Sequence, residues 1–159
     1  MKWQKPPLNK VYEALGALGA IGDGRTKING NSAIVYSSSG NKYYDVRYSP
    51  QTNQISSNDN GSYYQHYLGY PAIAWLLVSG TATYDTNLTE YLAGFAWKDI
   101  NQKFNNDYSK TSAYIDIAIA KKHSINLGVF HQQLEAILDE IMDLELEMPK
   151  LLPKPPKGY

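Results

Sequence analysis

Apolar residues recur at intervals of three and four near the start of the chain. Leu8, Val11, Tyr12, Leu15 and Leu18 mark one face of a first amphipathic helix. Pro7 suits its first turn, where a fixed φ and a missing N–H cost nothing. Gly16 and Gly19 each weaken a helix by about 1 kcal/mol relative to Ala. Either another backbone approaches closely there or the helix ends early, and Gly22 and Gly24 are expected to stop it.

The pattern then changes to period two. Segments 26–29, 33–37, 42–48 and 54–57 are separated by GNS, SSGN and SPQTN, which is turn chemistry. In the third segment Tyr44, Val46 and Tyr48 alternate with Tyr43, Asp45 and Arg47. One face is apolar and one polar, so the spacing predicts an antiparallel meander with one wet face.

Helical signals fill the rest. After a polar loop, SSNDNGS at 56–62, a helix is predicted from Tyr63 or Pro71 to Val78 around the dense apolar run AIAWLLV, with Gly80 ending it. A second spans about 88–95 behind Thr86 or Asn87. Its continuation at 97–105 places Trp97, Ile100, Asn101 and Phe104 on one side. Asp107 caps a further helix carrying Tyr108, Ser112, Ile115 and Ile119. Asn126 caps the last, 127–147. In that helix Phe130, Leu134, Ile137, Ile141, Leu144 and Met148 alternate steps of four and three, a heptad seam shorter than three full heptads. Packing within the domain is favoured over an intermolecular coiled coil.

The fold class is therefore α+β: an N-terminal helix, an antiparallel β-meander of three to four strands, then four or five helices including a long C-terminal amphipathic one. One domain is expected over 8–148, between a flexible basic arm, 1–7, and a flexible Pro/Lys-rich tail, 149–159. Exposed ion pairs between the tail and the acidic outer face of the last helix would contribute little.

Composition narrows the classes. Of 159 residues 43% are apolar, fourteen are Tyr, none is Cys, and fifteen basic residues balance fifteen acidic ones. Without cysteine there is no disulfide framework and no thiolate chemistry. Zero net charge restricts any nucleic-acid surface to a local patch, since phosphate neutralisation dominates such binding. No apolar run approaches the ~20 residues that cross a bilayer. The opening segment imitates a secretory signal, but Glu13 interrupts it and Pro6 and Pro7 precede it, so a cytoplasmic, non-membrane protein is expected.

No nucleophile–base signature, phosphate loop or H-E-x-x-H motif is present. His123 and His131 flank a turn and read as helix-end residues rather than a shared metal site. The loop Asn58-Asp59-Asn60-Gly61 has one carboxylate and no downstream bidentate Glu, so it reads as a turn rather than a calcium loop. No cofactor and no metal are expected. The distinctive feature is aromatic: Tyr43, Tyr44, Tyr48, Tyr63, Tyr64, Tyr67 and Tyr70 fall in one block, with Arg25, Lys27, Lys42 and Arg47 near in sequence. Interleaved aromatic and basic residues stack bases and hold phosphates, yet the same rings serve as core or as a protein interface. The candidate binding surface is Lys42, Tyr43, Arg47, Asn58, Asp59, Asn60, Tyr63, Tyr64, His66 and Tyr67.

The block Ala33–Val78 resembles the SWIM-type zinc finger in layout: AIVYSSSGNKYYDVRYS in place of its hairpin, ISSND in place of C-x-C-P-D, and GYPAIAWLL in place of C-x-H and its apolar helix. The ligand positions are then Ile55, Ser57, Gly69 and Pro71, none of which binds zinc, while Asp59 matches the motif's Asp. The resemblance implies a ββα unit held by packing instead of metal, and a role in binding DNA or protein.

Three functions follow as expectations. The first is a non-enzymatic binding module, its partner a protein before a nucleic acid. The second is a small enzyme with a polar site at Asn58, Asp59, Asn60, Ser62 and His66. The third is a structural protein that self-associates through the final helix.

Overall fold

The computed structural model describes residues 1–7 and 12–157. Leu8 and Val11, counted above on the first helical face, lie outside the described residues. Helix α1 (Tyr12–Gly22) leads into strands β1 (Thr26–Asn29), β2 (Ser32–Tyr36), β3 (Tyr43–Ser49) and β4 (Gln54–Ser57). A π-helical turn (Gly61–Gln65) precedes α2 (Tyr70–Val78), α3 (Asn87–Leu92), α4 (Trp97–Lys103), α5 (Tyr108–His123) and α6 (Leu127–Asp143). The α+β class and the meander stand as read from the pattern.

The four strands form one antiparallel sheet in sequence order, with Ala33 opposite Val46 and Val46 opposite Ser57. Ala33, Val35, Val46 and Ile55 are buried on the inner face. Helix α2 packs against all four strands. Every residue from Pro71 to Leu77 is buried, as expected for a helix apolar on all sides. Trp75 Nε1 donates to Gly30 O at 3.2 Å, fixing α2 to the first hairpin.

Helix α1 is not amphipathic as expected: residues 13–20 are all buried. Its glycines are the reason. A Cβ on Gly16 would sit 3.2 Å from Tyr70 Cβ, and one on Gly22 would overlap the carbonyl of Thr89 in α3. The backbone of α1 is thus clasped between α2 and α3. Gly22 remains helical, and the helix ends in a Schellman motif, with Arg25 N donating to Ala20 O and Gly24 at φ +68°.

The helix predicted from as early as Tyr63 begins only at Tyr70. His66 takes φ +59° and breaks the chain between the π turn and α2. Asp107 and Asn126 cap α5 and α6 as read, accepting from Lys110 N and Val129 N. Helix α6 stops at Asp143 rather than 147, where Glu145 reverses the chain at φ +50°. Its seam faces inward: Phe130, Leu134, Ile137 and Ile141 are buried in the common core, and Leu144 and Met148 pack partly against it. That apolar face is covered within the domain.

The segment 1–7, expected to be a flexible arm, is anchored. Trp3 is 5% exposed, its indole donates to Ile55 O at 2.9 Å, and its backbone N donates to Leu146 O. Glu147 N donates to Asn53 O and Ile55 N to Glu147 O, so both chain ends cover the β4 edge. The acidic face of α6 is met by this arm: Lys5 Nζ reaches Glu135 at 3.2 Å and Asp139 at 2.6 Å. In the tail, Leu151, Leu152 and Pro153 border a groove on the outer sheet face with Asp45, Arg47, Ser56 and Asn58. Among the described residues no helix is long and apolar enough to cross a membrane.

A tyrosine-walled cleft as candidate functional site

Helix α1, the start of β3, the π turn and the starts of α2 and α5 converge on two adjoining cavities of about 380 and 600 Å³. Tyr12, Tyr44, Asn60, Tyr70 and Tyr108 line both, so the two adjoin across these side chains.

The walls of this cleft are held from several elements. Asn101 Nδ2 donates to the Tyr12 hydroxyl and Asn101 Oδ1 accepts from Thr111 Oγ1 at 2.9 Å, joining α1, α4 and α5. The Tyr12 ring lies 4.7 Å from that of Tyr108 and meets Trp97 edge-on at 5.8 Å. Tyr44 and Tyr70 make an edge contact at 5.9 Å. Such pairs add about 0.5–1.5 kcal/mol beyond area burial. Gly61 is required beneath Tyr67, since a Cβ there would lie 2.7 Å from the ring.

Two buried carboxylates sit on the floor. Glu13 Oε2 accepts from Tyr70 N at 2.8 Å, at the N-terminus of α2, where negative charge is favoured. Both oxygens of Asp59 accept from Ser62 Oγ, at 2.8 and 2.7 Å, and from Ser62 N. Ser62 Oγ in turn accepts from Gly69 N. A Cβ on Gly69 would overlap the Asp59 carboxylate, so only glycine leaves room for it. Burial pushes the Asp59 carboxyl up to about 6, partly offset by the Ser62 hydrogen bonds. Burial first, and the charge of Glu13 second, hold the phenols of Tyr12, Tyr67 and Tyr108 protonated above the usual range.

The opposite end is basic. Arg25 and Lys98 line it with Ser37, Ser38, Asn101 and Gln102. Arg25 is itself held, with Nη1 on Tyr36 O at 2.7 Å and Nε on Asp23 at 3.3 Å.

The family whose description reads "Uncharacterised conserved protein UCP014422" matches residues 3–147. The chain belongs to this family. The match runs from Trp3 of the anchored arm through Glu147 and so takes in the whole cleft. No curated protein and no solved structure matches the chain.

The candidate surface read from the sequence divides among several places. Asp59, Asn60, Tyr64 and Tyr67 line the cleft. Tyr63 packs edge-on against Tyr64 at 4.9 Å. Asn58 turns the other way, its Oδ1 accepting from Asp45 N at 2.8 Å. Tyr43, 54% exposed, pairs with Tyr36 on the outer sheet face, where Arg47 is also exposed. Lys42 precedes β3, its backbone bonded to Ser37. His66 is exposed and is not among the residues lining the cleft, so the polar set Asn58–His66 is not gathered into one site. The His123 ring lies 4.9 Å from that of Tyr91, tilted at 48°, while His131 pairs with Asp116 at 2.8 Å. Among the described residues no group of three or more His, Cys, Asp or Glu is placed to hold a metal ion. Tyr12, Glu13 and Tyr108 do not belong to the surface read from the sequence. Glu13 does carry a signal there, as the one acid interrupting an apolar helix.

Proposed function

We propose that the protein is a non-catalytic binding module that receives an extended segment of a partner protein in the tyrosine-walled cleft. The supporting observation is the adjacency of the two cavities, which share five lining residues, four of them tyrosines. Tyrosine offers large contact area with few rotatable bonds and a polar tip, the combination favoured at protein-recognition surfaces. The chemistry of the floor favours binding over catalysis. Asp59 is engaged at both oxygens by Ser62, and His66 stands apart from it, so no base is presented to a nucleophile. The zinc-finger resemblance of 33–78 points the same way, toward partner binding. Balanced net charge, with acid on the cleft floor, favours a protein over a nucleic acid.

The test is a peptide-library titration of the intact chain followed by NMR. Binding peptides are expected to shift signals of Tyr44, Asn60 and Tyr108, and Tyr44→Ala and Tyr108→Ala are expected to weaken them about ten-fold or more. Peptides that bind equally well to both variants would overturn the reading. A gel shift of single- and double-stranded nucleic acids at low salt examines the other partner class.

A further inference from the structure

The tail beyond residue 147, where the family match ends, has a regular pattern of exposure. From Leu151 to Lys157 it repeats every three residues. Leu151, Lys154 and Lys157 are exposed, while Leu152, Pro153, Pro155 and Pro156 are partly buried. Three residues per turn is the period of a polyproline II helix, whereas an α-helix repeats at 3.6 and a strand at two. Among the described residues, 149–157 make no backbone hydrogen bond, and that helix needs none. The last anchor before it is Met148 N, which donates to Met1 O. One edge of the tail therefore faces solvent. The other two face the domain, where Leu152 packs partly against the core and Pro153 borders the groove of Asp45, Arg47, Ser56 and Asn58.

The segment reads Lys150-Leu151-Leu152-Pro153-Lys154-Pro155-Pro156. Its two apolar–proline pairs, Leu152-Pro153 and Pro155-Pro156, stand three residues apart. At a rise of about 3.1 Å per residue they form successive ridges about 9 Å apart on the same side of the helix. Lys150 precedes the first pair with one residue between. A groove lined by aromatic rings receives such ridges, and the preformed helix loses little entropy on docking. An acidic pocket beside the groove would take the lysine and fix the direction of the segment. We infer that the tail is a ligand segment for an SH3-type domain of a partner protein, held in reserve on the outer sheet face. The partner exchanges the contacts of the prolines with the sheet for contacts of the same kind in its own groove. Its affinity is then scaled by the fraction of tail that is released. The inference concerns the tail and the sheet, and stands or falls separately from the cleft.

The probe is a panel of SH3 domains that accept proline-rich ligands with a leading basic residue, titrated calorimetrically against the intact chain. At least one domain is expected to bind with one-to-one stoichiometry. Pro153→Ala and Pro156→Ala are each expected to weaken it about ten-fold or more. Lys150→Gln is expected to weaken it about five-fold, while Lys154→Gln, on the solvent edge between the two pairs, stays within about two-fold of wild type. Arg47→Ala, at an exposed position bordering the groove, is expected to free the tail and tighten binding about three-fold. Absence of binding by every domain overturns the inference. So does binding that both proline variants leave unchanged, or equal losses in Lys150→Gln and Lys154→Gln, which would make the attraction one of charge alone. Equal affinity of wild type and Arg47→Ala would overturn the reserve on the sheet.

Discussion

Glu13 Oε2 accepts the backbone N–H of Tyr70 at 2.8 Å, a bond across 57 positions that ties α1 to the first turn of α2. Glu13 is buried, so that N–H has no easy access to water if the acceptor is removed. A buried donor left without a partner costs about 1–3 kcal/mol. Glu13→Ala is expected to lose stability on that scale in urea unfolding. Glu13→Gln retains an oxygen acceptor and should lose clearly less. Equal losses for the two would show that the charge, not the acceptor, matters to the fold.

Replacing a helical glycine by alanine ordinarily gains about 1 kcal/mol. At Gly22 the sign reverses. The added Cβ would overlap the main-chain carbonyl of Thr89, which no side-chain rotation relieves. Overpacking of this kind costs about 1–3 kcal/mol. Gly22→Ala is expected to lower the denaturation midpoint, and a raised midpoint would mean that α1 and α3 are not in this close contact.

Trp3 lies near the start of the chain yet is buried, with its indole bonded to Ile55 O across 52 positions. Truncating a buried Trp to Ala costs about 3–5 kcal/mol. Trp3→Ala is expected to approach that loss. Leu151→Ala, in the tail at 88% exposure, should stay within about 0.5 kcal/mol. Thermal melts of the two variants side by side separate an anchored arm from a loose one.

The contrast between arm and meander shows what is legible in the sequence. All four strands can be read to within a residue because period two and turn chemistry are local, and Asp107 and Asn126 announce their helices for the same reason. Trp3 escapes a local reading because a short segment with Lys and Pro resembles a linker, although a Trp within it is a warning. The cleft is half legible. Tyr64 and Tyr67 stand in the aromatic block, but Tyr12 and Tyr108 reach it from helices that only long-range packing brings together. The alternation in β3 separates Tyr43 from Tyr44, and so splits one apparent cluster between the outer sheet face and the cleft.

Asp59 predicts a pH dependence whose sign is fixed by burial. Its carboxyl moves from an ordinary 3.8 to about 6 in the folded protein. Between those values the folded state holds a proton that the unfolded state has released, so stability falls as pH rises from about 4 to about 6. A displacement of that size corresponds to about 3 kcal/mol between the two ends of the window. Other carboxylates titrate over the same range, so the informative quantity is the difference between wild type and Asp59→Asn. Asn keeps an oxygen to accept from Ser62 and cannot ionise. The variant is expected to lack this fall, gaining on wild type steadily from about pH 4 to about pH 6 in urea unfolding. A constant offset over that range would show that Asp59 does not titrate there, and that the charge on the cleft floor is held by stronger hydrogen bonding than Ser62 provides.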